Sequence, residues 1–167
     1  MKRTISILHV FSIIALFSAA FFMTACGNNQ AKSLSEGNKA YESENFEKAA
    51  MIYLPLAYAG NMQAQETIAY MYYYGVFFKR DFSKSIAWYE KSAKQGNPSA
   101  QFSLATMYEN GEGTEDNQYE AYFWYSLAAK QNFPEAAEIV EEIESFVPAE
   151  QLTAIKKQVA DWKPEKK

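Results

Sequence analysis

Histidine and cysteine are almost missing from this chain. Its 167 residues hold one of each, His9 and Cys26. His9 lies inside an apolar leader and Cys26 directly after it. Beyond that point there is no imidazole and no second thiol. Ser-His-Asp triads, Cys-His pairs, zinc sites built on His or Cys and structural disulfides are therefore excluded. A Ser-x-x-Lys motif is also absent, which removes the acyl-transfer chemistry built on that spacing. Only carboxylate or isolated Ser/Lys chemistry remains, and no residues are spaced for it. The sequence thus assigns no catalytic residue, no cofactor and no metal. Positive charge is scarce too, with 16 Lys and Arg against 20 Asp and Glu. No basic face exists for nucleic acid or for a charge-driven grip on anionic lipid headgroups.

The leader has a clear plan. Lys2 and Arg3 precede a nearly wholly apolar run from Ile5 to Phe22, and Met23-Thr24-Ala25 leads into Cys26. Basic start, apolar middle and small residues at a cut make a secretory signal over residues 1–25. The alternative is an uncleaved membrane helix, since about 20 apolar residues span a bilayer. "MTAC" resembles the lipobox of bacterial lipoproteins, with Met23 in place of the usual leucine. That resemblance implies cleavage before a lipid-modified Cys26, which anchors the chain to a membrane. Gly27 after the cysteine, rather than an aspartate, implies an outer-membrane lipoprotein facing the periplasm. Losing the leader removes Lys2 and Arg3 but no acid, so the net charge moves from −4 to −6. Residues 26–34, polar and small, are predicted to form a flexible lipidated tether.

The remainder is repetitive with a period of 36 residues. "AQETIAYMYYYG" from Ala64 overlies "AQFSLATMYENG" from Ala100 without a gap. Met71 falls on Met107, Tyr72 on Tyr108, Gly75 on Gly111, Trp88-Tyr89 on Trp124-Tyr125 and Gln95 on Gln131. One step back places Tyr53 under Tyr89 and Gly60-Asn61 under Gly96-Asn97. Each unit predicts two helices. The first has its apolar stripe at Ala64, Ile68, Met71 and Tyr72 and ends at Gly75. The second runs from about Phe82 to Lys94, with Ile86, Tyr89 and Ala93 buried; Tyr122, Tyr125 and Ala129 are their counterparts. Asn97 caps the next helix and Pro98 opens it. Asn61 and Pro134 hold the matching places. A helix pair of this kind leaves an apolar face that only the next pair can cover, so the units stack.

These residues resemble the Sel-1-like repeat, a relative of the tetratricopeptide repeat. Its pattern is Ala-x-x-x-Leu-x-x-Met-Tyr-x-x-Gly-x-Gly followed by Ala-x-x-Trp-Tyr-x-x-Ala-Ala-x-Gln, departed from at Ala69 and Ala105. The resemblance implies an all-α, right-handed α-α solenoid. Its parts are a divergent tetratricopeptide-like first unit over 35–63, repeats over 64–99 and 100–135, and C-terminal capping helices over 136–167. Pro148 starts the cap, with Leu152, Ile155, Val159 and Trp162 facing the last repeat. What the family does implies an adaptor or scaffold that binds another protein. Two alternatives follow from the same resemblance: an immunity lipoprotein that neutralises a periplasm-acting toxin such as a phospholipase, and a β-lactamase-like enzyme. The enzymatic relatives carry a disulfide in each repeat, which this chain cannot form.

One stretch departs from the frame. "YMYYYGVFFKRDF", residues 70–82, holds seven aromatics in thirteen positions. Met71, Tyr72 and Phe82 align with frame positions and are predicted to be core. Tyr73, Tyr74, Val76, Phe77 and Phe78 instead oppose Glu109, Asn110, Glu112, Gly113 and Thr114, and Lys79-Arg80 opposes Glu115-Asp116. An aromatic, basic tip replaces an acidic one. Three readings stand: Phe77 and Phe78 cover the exposed edge of the first unit; Tyr73, Tyr74, Val76, Phe77, Phe78 and Arg80 form a partner-binding patch; or the tip touches lipid headgroups. Glu138, Glu141, Glu142 and Glu144 form an acidic run that reads as a solvated helix face, and Trp88 and Trp124 read as packing between repeats.

Overall fold

The computed structural model describes residues 29–165. Eight helices and no strands are present among the described residues. Helix α1 covers residues 29–42. It is followed by α2 (Phe46–Tyr58), α3 (Met62–Tyr74), α4 (Phe82–Lys94), α5 (Pro98–Asn110), α6 (Gln118–Ala129), α7 (Pro134–Phe146) and α8 (Ala149–Asp161). From α2 to α7 each helix packs on the next, so α4 lies between α3 and α5, and α6 lies between α5 and α7. That is the stacked-pair arrangement the 36-residue period predicts.

The helix ends follow from the sequence as expected. Asn61 and Asn97 accept backbone N–H bonds from Ala64 and from Ser99 and Ala100, and Pro98 occupies the first turn of α5. Gly75 and Gly111 close α3 and α5 at φ of 73° and 65°. Both are left-handed, where a side chain is strained. Pro134 opens α7.

Alanines at complete burial (Ala64, Ala69, Ala93, Ala100 and Ala105) bring the helices close. Ile68, Met71, Leu104 and Met107 fill the layer between pairs, each contributing about 1.5–3 kcal/mol. Polar groups join the repeats in the same register. Gln65 and Gln101 donate their amides to the carbonyls of Ala57 and Ala93, both at 3.1 Å. They accept in turn from Gln95 at 2.6 Å and Gln131 at 2.8 Å. Identical bonds one period apart satisfy two buried side chains that would otherwise be costly.

Several expectations need correction. Residues 29–34, predicted as tether, belong to α1: Gln30, Ala31, Lys32 and Leu34 favour helix, and Leu34 packs on the core. The buried stripe of α4 is Ser85, Trp88, Tyr89, Ser92 and Ala93, with Ile86 only half-buried. Because α4 has a helix on both sides, its small serines face α3; Ser85 donates to the carbonyl of Ala69 at 2.9 Å and Ser92 to that of Met62 at 2.8 Å. Ala129 is likewise half-buried.

The C-terminal cap forms as predicted. Leu152, Ile155 and Val159 are buried, and α8 packs on α6. The tail then runs back to the end of α4, where the Glu165 N–H donates to the Lys94 carbonyl at 2.9 Å.

Candidate partner-binding face

The spacing of Glu66, Tyr70, Tyr73 and Tyr74 puts all four on one side of α3. Their rings form a belt that starts on α1. Tyr41 meets Tyr70 edge-on at 6.3 Å, Tyr70 lies 4.4 Å from Tyr74, Tyr74 lies 4.7 Å from Tyr73, and Tyr73 lies 5.3 Å from Phe82. Tyr74 is 60% exposed and Tyr70 41%. The Arg80 guanidinium caps the far end, 5.4 Å from the Phe82 ring centroid. Tyr73 is the fixed member: its hydroxyl donates to Glu112 of the following loop at 2.8 Å. Burial, and then that carboxylate, push its phenol up to about 12.

Phe77 and Phe78 form a second group. Phe78 stacks on Tyr72 of the same repeat at 4.5 Å and 15°, so its ring closes over its own helix α3 and not over the first unit. Phe77 meets Phe78 edge-on at 5.0 Å and stays 52% exposed. Its φ of 63° is a left-handed value, unusual for a bulky residue. Val76 is half-buried against the core. The six predicted site residues therefore divide: Tyr73, Tyr74 and Arg80 join through Phe82, Phe77 and Phe78 join through Tyr72, and Val76 is packing. Cys26, the predicted lipidation site, lies outside the described residues.

Two grooves run beside the belt. One of about 340 Å³ lies between α1 and α3 and includes Tyr41, Glu42, Glu66 and Tyr70. The next, about 270 Å³ between α3 and α5, includes Glu66, Tyr70, Tyr74 and Phe102. They share Glu66 and Tyr70, and so adjoin along the face made by the first helix of each pair. A third groove, about 410 Å³, opens where α7 meets α8, with Glu109, Tyr119, Glu142 and Phe146 among its walls. The sequence reading missed Tyr41, Glu66, Tyr70 and Phe102. The i, i+4 pairs Glu66–Tyr70 and Tyr70–Tyr74 are the signal that finds three of the five α3 and α5 members.

The other candidates behave as frame. Glu138, Glu141 and Glu142 are exposed, while Glu144 pairs with Lys156 at 2.9 Å and accepts from the Tyr122 hydroxyl at 2.6 Å. The Tyr122 bond, then the Lys156 bond, hold its carboxyl below the ordinary range. No cluster of three or more His, Cys, Asp or Glu suited to a metal occurs among the described residues. Trp88 packs edge-on against Tyr58 at 5.1 Å.

Comparison with known proteins decides what this frame is. The family model described as "Sel1 repeat" matches residues 63–97 and 98–133. The chain carries two Sel1 repeats. They span α3 to α6, with all of the belt but Tyr41 on the first of them. Among solved structures, the chain is similar to a Sel1 repeat protein from Oxalobacter formigenes at 32% identity and a TM-score of 0.62, over 65% of this chain and 44% of that one. It also resembles c5321, described as a protective antigen of uropathogenic Escherichia coli strains with an SLR fold. That match has 23% identity and a TM-score of 0.71, over 80% of this chain and 30% of that one. The chain spans less than half the length of either protein. No curated protein matches it. Sel1 repeats build a scaffold fold that binds other proteins.

Proposed function

We propose that the chain is a membrane-tethered protein-binding module. It holds its partner against the first-helix face at the Tyr70–Tyr74 end, with the Phe77 tip alongside. The observation that carries this reading is the belt itself. Exposed tyrosines, packed tilted and edge-on against one another and set in two adjoining grooves, give large contact area with few rotamers to freeze, which is what interface hot spots use. The comparable rings at the other repeat are replaced by Thr106, Glu109 and Asn110, so the belt belongs to one repeat and not to the frame. Phe77 supports the same reading, because a half-exposed aromatic is held at a left-handed φ where the second repeat has Gly113, and it does not serve the core.

The tether of the proposal rests on the leader and Cys26. A lipid there holds the module on the envelope, on the periplasmic side of an outer membrane, and several acyl chains make a stable anchor. No described helix is long and apolar enough to cross a membrane. No catalytic step is part of this reading.

Affinity capture from envelope extract with the full-length lipidated chain tests it. Alongside run Tyr74→Ala and a loop variant, Phe77→Gly with Phe78→Thr, all first shown by circular dichroism to be folded. A partner kept by the native chain and lost by Tyr74→Ala supports the face. Equal capture by every variant sinks it. A retained toxin would make the module an inhibitor, and any other retained protein an adaptor. For the anchor, Cys26→Ser should leave the membrane fraction; a variant that stays there at unprocessed size is an uncleaved helix instead.

A further inference from the structure

We infer that the partner segment lying on the first-helix face is positively charged, carrying lysine or arginine side chains that stack on the tyrosines and pair with a row of glutamates. This rests on the binding face proposed above and adds the chemistry of its occupant. Each first helix contributes one carboxylate to the grooves: Glu42 from α1, Glu66 from α3, Glu109 from α5 and Glu142 from α7. No lysine or arginine lines any of the three grooves. Ion pairs among the described residues use Asp81, Glu90 and Glu144, none of them a groove carboxylate.

The groove acids nearest the core are held by neutral donors. Glu66 accepts from the Asn97 amide at 2.6 Å and from the Ser99 hydroxyl. Glu109 accepts from the Tyr125 hydroxyl at 2.8 Å. Such bonds fix the position of a carboxylate without cancelling its charge, so the charge is left for a cation from outside. The molecule's own cations lie outside these grooves, with Arg80 at the far end of the belt. Arg80 is over Phe82 and Lys84 over Tyr72, both at 5.4 Å, and Lys91 is over Trp88 at 4.0 Å. These are loop and second-helix residues. Among the described residues, none covers Tyr41, Tyr70 or Tyr74. A tyrosine face beside a fixed carboxylate is a seat for an ammonium or guanidinium group, and like charge along the grooves rejects an acidic segment.

Two labelled 12-residue probes of equal length test the inference, one with lysine at every third position and one with glutamate there. Fluorescence anisotropy follows their binding to the full-length protein in a non-ionic detergent. The basic probe should bind and the acidic one should not. Glu42→Gln with Glu142→Gln should weaken the basic probe about five- to tenfold, and among the described residues these two carboxylates have no hydrogen-bond partner whose loss would disturb the fold. Glu47→Gln with Glu150→Gln makes the same change of charge on α2 and α8 and should leave binding unaltered. Equal weakening by both pairs would show only the net charge at work and overturn the inference, as would failure of the basic probe to bind. Either result leaves the face itself standing if Tyr74→Ala still loses the captured partner; loss of that effect sinks the face and, with it, this inference.

Discussion

Phe77 and Gly113 hold the same position one period apart, and both backbones are left-handed, at φ of 63° and 78°. Their surroundings differ. A Cβ on Gly113 would lie 2.7 Å from the backbone carbon of Phe82, so the second loop presses on the start of α4. Phe77 projects into solvent. Replacing Phe77 with glycine relieves roughly 1–2 kcal/mol of strain, offset by the freedom glycine gains in the unfolded chain and by the lost edge contact with Phe78. Urea unfolding of Phe77→Gly should therefore match the native chain to within about 1 kcal/mol. Gly113→Ala should lose about 2 kcal/mol or more through clash and strain. A neutral Gly113→Ala would contradict the close seating of that loop.

At the level of elements, the caps carry unequal weight. Asn97 is buried; besides capping α5 it donates to Glu66 and to the Ser92 hydroxyl at 3.0 Å. Asn117 caps α6 from an exposed position through one bond to Glu120. Asn97→Ala should cost about 2–3 kcal/mol in urea unfolding and Asn117→Ala about 1 kcal/mol; equal losses would deny the bridging role of Asn97.

Helix starts and stops were legible in the sequence because Asn-Pro and Gly signals act locally and recur at a fixed step. Met71 was legible as core for the same reason. What could not be read is what depends on neighbours across the fold. Tyr41 and Tyr70 meet only because α1 packs beside α3, and no alignment places their rings together. Phe78 finds Tyr72 rather than the first unit because the turn at Gly75 directs the chain back along α3. The first helix begins upstream of its predicted start because Leu34 adds core contact to a stretch whose polarity reads as tether.

For the whole molecule, tyrosine–glutamate bonds tie successive elements and set a response to pH. Tyr73, Tyr108 and Tyr122 donate to Glu112, Glu90 and Glu144. Burial first, and then the carboxylates, push each phenol up to about 12 from the ordinary 10. A phenol with a folded value above its unfolded value contributes fully below pH 10 and loses that contribution as pH rises toward 12. Glu144 has the opposite sign: its lowered value contributes above the ordinary 4.5 and is lost as pH falls through the folded value. Stability should be level near neutrality and fall between pH 10 and 12, with helix loss by circular dichroism tracking tyrosinate absorbance. Full ionisation of these phenols with the helices intact would contradict the assignment.

The central claim is that the first-helix face of this Sel1-repeat solenoid is where a partner binds. Photo-crosslinking in intact cells tests it most directly, with a photoreactive phenylalanine analogue at Tyr74 on that face and, separately, at Met51 on α2, a second helix, where the native side chain is 70% exposed. The account predicts a discrete crosslinked product from position 74 and none from position 51. A product from position 51 alone would place the partner on the second-helix side and contradict it.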